Sequence, residues 1–368
     1  MNQTAGTSGE ARTQKKDPST QALRGLAVLL MVAGHVIGDG SDRGMGVPDE
    51  SLWRLSYLLL EDIRMPLFTV ISGFVYAMRP VSNIGALAAL LRGKVRRLLV
   101  PLLVVGALLF GMKLVVPGTN TTPKPSDFWR VYFFGYEHLW FLQAIFIIFL
   151  LVAVLGVLGF LSTPLRWTAC TAITLILFVV IRVPEAMNVF SVNGAISLLP
   201  FFLIGYGLYT FFPARPRSGA LISVAIVFLA LYMVRLTGIV NEWEWNSWAS
   251  RALNLSVGIA GILLIYSARK FITFRWLAWI GGFSFGVYLL HVFGSAGARI
   301  FLEKFGITWN PAVFLVCLSI GVGAPIIFQV LVGRWNIVRM LILGEKKNPR
   351  QRGDVATDPS SASLFKGA

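Results

Sequence analysis

Ten apolar runs decide what this chain can fold into. They occupy residues 23–38, 65–78, 98–116, 138–160, 167–181, 195–212, 219–236, 252–268, 276–297 and 312–333. A helix crosses the hydrocarbon core with about 17–25 apolar residues. Inside lipid only helices and closed barrels satisfy every backbone polar group. Runs of this length and number predict an all-α, polytopic membrane bundle of about ten transmembrane helices. The second and fifth runs are short, so their boundaries are the least defined. Composition agrees, with 56% hydrophobic and 14% charged residues, where soluble domains carry about a quarter charged.

Polar sequence flanks the bundle. Residues 1–20 and 341–368 lack apolar periodicity and are expected as disordered cytoplasmic tails around a domain spanning 21–340. Lys15 and Lys16 precede the first apolar run, but no A-x-A-like cleavage site follows. That run is therefore expected to remain as a span rather than leave as a signal peptide.

The direction of the bundle follows from its charges. With the N-terminus in the cytoplasm, 22 of the 33 basic residues fall inside, and 12 of the 17 acidic residues fall outside. This asymmetry supports ten spans with both termini cytoplasmic. The net charge of +16 is spread between apolar runs, not gathered on one soluble face. It argues for membrane orientation and against nucleic acid as a partner. Cys170 and Cys317 lie inside apolar runs, which argues against a disulfide framework or a cysteine zinc site. Gly34/Gly38 and Gly282/Gly286 have the spacing that lets membrane helices approach closely.

Within the first run, "LRGLAVLLMVAGHV", Arg24 and His35 stand out. Eleven residues is close to three helical turns, so both lie on nearly one face, roughly 16 Å apart along the axis. Each has a plain explanation: an arginine snorkelling to headgroups, a hydrogen-bonded packing histidine. Each also fits the rule that ionisable residues inside a span face the bundle interior or a wet cavity. His138 and His291, the only other histidines, fall toward the same outer level as His35. Arg64, Glu137, Asp39 and Asp42 are near that level too. A carboxylate beside a histidine orients the ring and stabilises its charged form, a common general-base arrangement. Three histidines from three distant spans, without local ligand spacing, make a poor metal site.

On the cytoplasmic side, "LRGKVRRLLVP" (91–101) crowds Arg92, Lys94, Arg96 and Arg97 before the third span. The positive-inside rule explains such a cluster, and so does a phosphate site. A basic mouth, one helix face and a histidine site further out suit a long phosphorylated carrier. Coenzyme A has phosphates at one end and a thioester at the end of a flexible arm.

These motifs resemble acyltransferase family 3, the integral-membrane O-acyltransferases. The family hallmark, a basic residue and a histidine separated by ten residues, is met by Arg24 and His35. "RMPLFTVISGFVYAM" (64–78) resembles its second-helix pattern through Phe68, Ser72, Gly73 and Phe74. "LRGKVRRLLVP" resembles its basic cytoplasmic segment, and "HLWFL" (138–142) and "FSFGVYLLHVF" (283–293) resemble later landmarks. The fucose-4-O-acetylase-like branch is the most similar. There a histidine often precedes Met-Pro-Leu-Phe, where this chain has Arg64.

The resemblance implies transfer of an acyl group, usually acetyl, from acyl-CoA to a hydroxyl of an extracytoplasmic or lipid-linked glycan. No metal is implied. His35 is then expected as general base, with Arg24 on a donor phosphate or lining its channel and Glu137 as acidic partner of a histidine. Arg92, Lys94, Arg96 and Arg97 are expected to bind donor phosphates. Arg64, His138, Tyr288 and His291 are expected around the acceptor, with interhelical hydrogen bonding the other reading of Tyr288 and His291. Ser72 is expected to serve helix packing, since no serine-hydrolase elbow surrounds it. The expected location is a bacterial inner (plasma) membrane, among lipids.

Two outer segments remain. "NEWEWNSW" (241–248) reads as an interfacial aromatic belt or a stacking surface for sugars. "SLWRLSYLLLED" (51–62) is expected as a helix lying on the outer surface. A transporter or flippase for a lipid-linked sugar or small anion is the alternative function. Such proteins more often show two repeated halves with broken helices, which this sequence lacks.

Overall fold

A computed structural model describes residues 18–212 and 218–346. Among them the regular structure is helical, with no strand. The expected tails fall largely on residues outside this range. Their inner edges are ordered: α1 (Pro18–Ile37) begins at Pro18, and the last helix runs on to Leu343.

The chain continues through α2 (Leu52–Ala77), α3 (Ile84–Lys94), a π-helical turn (Val95–Leu99), α4 (Val100–Val115) and the short α5 (Arg130–Phe133). Next come α6 (Trp140–Val157), α7 (Pro164–Val180), α8 (Val192–Thr210), α9 (Ser218–Val240) and α10 (Ser247–Ser267). The remainder is α11 (Arg275–Gly282), α12 (Ser284–Lys304), α13 (Asn310–Leu331) and α14 (Asn336–Leu343). Every apolar run is helical. Eight helical stretches among the described residues are long and apolar enough to cross a membrane. The exceptions among the ten runs are α7, with 17 residues, and α2, which carries Glu61, Asp62 and Arg64 mid-helix.

Local chemistry sets the boundaries. The Ser51 side chain accepts from Arg54 N at 3.1 Å and starts α2, and Asn83 accepts from Ala86 N at 2.9 Å to start α3. Thr163 and Asn246 cap α7 and α10 in the same way. Each gives an orphan first-turn N–H its partner.

Three expectations change. Residues 52–63 do not form a separate surface helix; they are the first half of α2, which runs without interruption through Pro66. Proline cannot donate to the Asp62 carbonyl one turn back. That carbonyl lies against Gly258 of α10, where a Cβ would stand 2.8 Å away. The basic segment is helix rather than loop, since α3, the π turn and α4 form one stretch from Ile84 to Val115. The ninth run breaks at Phe283 into α11 and α12, so His291 stands two turns into α12.

Glycines do bring helices together, but not those whose spacing suggested it. Gly282 has nothing near its missing side chain, and Gly34 and Gly286 face the side chains of Arg64 and Gln329. Gly38 takes φ +94 in the turn after α1. The close crossings are reciprocal pairs instead. Gly25 meets the Leu277 carbonyl while Gly281 meets the Gln21 carbonyl, joining α1 to α11. Gly73 meets the Phe202 carbonyl while Gly205 meets the Val70 carbonyl, joining α2 to α8. A carbonyl in the place of a side chain is the contact that small residues permit in membrane bundles.

The main core gathers α1, α4, α6, α8, α12 and α13 around Met31, Leu109, Leu142, Phe202 and Leu289. A second cluster packs Leu67, Phe201 and Ile262 between α2, α8 and α10. The α9 helix lies outside, with none of its apolar window buried. It packs on α10 and joins α2 through Arg235 Nε and Asp62 Oδ2 at 3.2 Å.

Candidate active site

His35 lies half a turn from the end of α1, where the helix gives way to the Gly38–Gly46 loop. Its neighbours Gly34 and Val36 are buried, yet His35 itself is exposed. Its exposed surface is the wall of a cavity of about 590 Å³. Loops 38–45 and 119–121, the 135–138 turn and the walls of α2, α4, α12 and α13 complete it. The cavity descends one turn along α1 to Met31. Below that Gly25, Ala27 and Val28 are buried, so the next two turns toward Arg24 are closed packing.

The three histidines come together. Ring centroids are 5.0 Å apart for His35–His291, 4.7 Å for His138–His291 and 6.1 Å for His35–His138. Backbone carbonyls fix where two of the protons sit. His291 Nδ1 lies 2.9 Å from Tyr288 O and 3.2 Å from Val287 O, so it donates there. His138 Nε2 lies 3.2 Å from Leu289 O and donates likewise. The opposite nitrogens, His291 Nε2 and His138 Nδ1, are buried and have no protein partner. Both are left as lone-pair acceptors within this cluster. Among the described residues no group of three or more His, Cys, Asp or Glu has the geometry to hold a metal ion.

Tyr288 lines the cavity, but its hydroxyl donates to the His138 carbonyl at 2.6 Å. It therefore fixes the turn that carries His138. Ser72 donates to its own helix at Phe68 O, 2.9 Å away.

Glu137 also lines the cavity, though not as a histidine's partner. Its Oε1 takes a close ion pair from Lys113 Nζ, and its Oε2 faces Arg43 at 3.6 Å. Lys113 donates further to Thr121 Oγ1 at 2.8 Å. An intramembrane lysine in an otherwise apolar run is a functional signal in its own right.

Beyond Glu137 a second cavity of about 450 Å³ shares Gly135, Glu137 and Trp140 with the first. Arg182, Glu185, Asn188 and Ser197 line it, with the rings of Trp140 and Phe178. Strained backbone gathers here: Glu137 (φ 45), Phe190 (φ 55) and Ser191 (φ 56) are left-handed without being glycine. Such conformations persist only where surroundings over-determine them, and they cluster at functional sites. The restraint is Gln143, fully buried on α6. It accepts from Ser191 Oγ at 2.6 Å and donates to Tyr132 O and Phe134 O at 3.1 and 3.2 Å.

The opposite end of α1 carries a different chemistry. Arg97, on the π turn, is within electrostatic reach of both Arg24 and Lys94. Among the described residues none of the three forms an ion pair with a carboxylate. Lys94 Nζ stands over the Phe149 ring at 3.2 Å, and Arg97 lies 5.2 Å from the Phe285 ring centroid. A π turn rotates the following side chains out of helical register and is frequent at functional sites. Here it turns Arg97 toward α1 while Arg96 donates to Gly344 O at 3.1 Å. Arg96 is thus engaged with the end of α14, and Arg92 is exposed and bonds its own helix at Ala88 O. Of the four basic residues expected at a phosphate, two point into the cluster.

Among comparisons with known proteins, a family model described as an acyltransferase domain matches residues 18–328. No curated protein and no solved structure matches.

Proposed function

This chain belongs to acyltransferase family 3, and we propose that it moves an acetyl or related acyl group from acyl-CoA to a hydroxyl of an extracytoplasmic or lipid-linked glycan. The family makes it a membrane acyltransferase. The observation that carries the finer reading is His35, which among the described residues has no hydrogen-bond partner and opens onto a cavity large enough for both reacting groups. The surrounding rings support its role as base. His138 and His291 are held as donors to backbone, with acceptor lone pairs left in the cluster. An N–H of His35, donated to either directly or through water, leaves the other His35 nitrogen as a lone pair for a hydroxyl proton. This replaces the carboxylate that would usually orient a catalytic histidine.

The reaction is an addition followed by an elimination. The acceptor oxygen attacks the thioester carbonyl carbon while His35 takes the hydroxyl proton. The C=O becomes C–O⁻. Collapse then breaks the C–S bond, and the proton on His35 passes to the leaving thiolate. Arg24, Lys94 and Arg97 would hold donor phosphates at the cytoplasmic end, since guanidinium forks match phosphate oxygens. The second cavity would take the acceptor. Polar side chains beside two aromatic faces are the surface a sugar recognises, and Trp140 borders both cavities.

Mass spectrometry of surface glycans and glycolipids tests this. Cells carrying the wild-type chain should show an alkali-labile acyl mass absent from His35→Ala cells at equal membrane abundance. An acyl mark that persists in the variant removes His35 as base. No protein-dependent mark at all removes glycan acylation.

A further inference from the structure

Four cations line the histidine cavity: Arg43, Arg64, Lys113 and Arg299. Three are neutralised within it or at its rim. Arg43 faces Asp39 and Glu137, Lys113 pairs with Glu137, and Arg299 pairs with Glu303. Of these four, Arg64 alone has no carboxylate at ion-pair distance among the described residues. It is also deeply placed, with 7% of its surface exposed and its Nε buried without a hydrogen-bond partner.

A guanidinium keeps its charge in proteins, and a buried charge with no counter-ion is strongly unfavourable. The surroundings hold it there nonetheless. Its Cζ stacks 4.1 Å from the Tyr57 ring centroid. Its Nη1 occupies the space that a side chain at position 34 would need, against Gly34, the residue before His35. The cation is thus built in beside the proposed base, with no carboxylate among the described residues at ion-pair distance.

We propose that Arg64 is a catalytic residue whose guanidinium receives the oxyanion formed when the acceptor hydroxyl adds to the donor thioester beside His35. The proposal rests on the acyl-transfer reading of this cavity. In that reaction the first new negative charge near His35 is on the carbonyl oxygen, before any charge reaches the leaving sulfur. It appears on addition and disappears when the C–S bond breaks. A fixed cation, aimed where charge develops, stabilises the transition state more than either ground state. Arg43 and Lys113 are already balanced by Glu137 and would have to give up that pairing to do the same.

The test uses full-length protein in inverted membrane vesicles. [¹⁴C]acetyl-CoA is the donor probe, and alkali-releasable label in the vesicles' own glycans is the product. Arg64→Gln should lower kcat by about 10²–10³-fold, with KM for acetyl-CoA within about threefold. Arg64→Ala should regain activity with millimolar guanidinium, a rescue that His35→Ala should not show and that a folding defect would not permit. Arg64→Gln within threefold of wild-type kcat, or a loss confined to KM, overturns the proposal while leaving the acyl-transfer reading intact. Absence of guanidinium rescue in an Arg64→Ala protein present at normal abundance also overturns it. Wild-type vesicles with no His35-dependent product overturn both.

Discussion

The crossing of α1 and α11 gives the sharpest test of how this bundle holds His35, the proposed base. A Cβ at Gly25 would stand 2.8 Å from the Leu277 carbonyl carbon and closer still to its oxygen. Carbon atoms rest at about 3.5–4.0 Å, so Gly25→Ala must separate the two backbones by roughly 1 Å. The obstacle is backbone, which cannot swing aside. Overpacking of this kind costs about 1–3 kcal/mol. Because α1 also carries His35, the same displacement reaches the cavity. A misplacement of about 1 Å can cost about 10²-fold in rate. Gly282→Ala is the matched control, in the same helix pair with nothing within 4 Å of the new methyl. The assays are thermal unfolding of the detergent-solubilised protein and label transfer in vesicles. Gly25→Ala should melt earlier and lose most activity, while Gly282→Ala should match wild type. Equal stability and activity for the two variants would refute the argument that the Gly25–Gly281 crossing positions the base.

Other outcomes follow from the same geometry. Lys94→Met or Arg97→Gln should raise KM for acetyl-CoA by about 10–100-fold, the loss of one charge-assisted hydrogen bond to phosphate. Arg92→Ala, exposed and bonded to its own helix, should leave KM within twofold; steady-state kinetics in vesicles separates them. Gln143→Leu removes three buried hydrogen bonds and strands the Tyr132 and Phe134 carbonyls. It should destabilise the protein by about 3 kcal/mol and release the strained turn at Phe190 and Ser191. A lowered melting point, with protease cleavage appearing near residue 190, would register both.

Much of this arrangement was legible in the sequence, for identifiable reasons. Arg24 and His35 share a face because helix periodicity is local arithmetic. The three histidines were placed at one depth by counting residues from span ends, and their rings do meet. The count worked despite an error, since the break at Phe283 moves the start of the ninth run without moving His291. What stayed hidden depended on long-range packing. Glu137 pairs with Lys113 across 24 residues of chain, and no local pattern announces that choice over a histidine. The α2 helix was cut short at its start because Pro66 and three charges interrupt its apolar pattern. Tertiary partners absorb them: Gly258 faces the freed Asp62 carbonyl and Arg235 meets the Asp62 side chain. The packing glycines could not be chosen by spacing. Every i, i+4 pair looks alike until a neighbouring carbonyl is there to fill the gap. The lone charge of Arg64 is likewise a property of the assembled cavity, because it is defined by which of four cations lacks a partner.

The closed turns of α1 between Arg24 and Met31 have a consequence for the cell. A wet pocket on one side and a cationic mouth on the other, joined on one helix, would otherwise be a leak. Ala27 and Val28, with no exposed surface, make a dry plug a few residues thick that closes this face of the helix. With α1 and α2 fixed to their neighbours by backbone contact, such a plug would open by side chains parting and not by helices sliding. For the proposed acyl-CoA donor, the aperture needed would be only as wide as an extended pantetheine arm. Each turnover would then breach the permeability barrier just while the arm itself fills the hole.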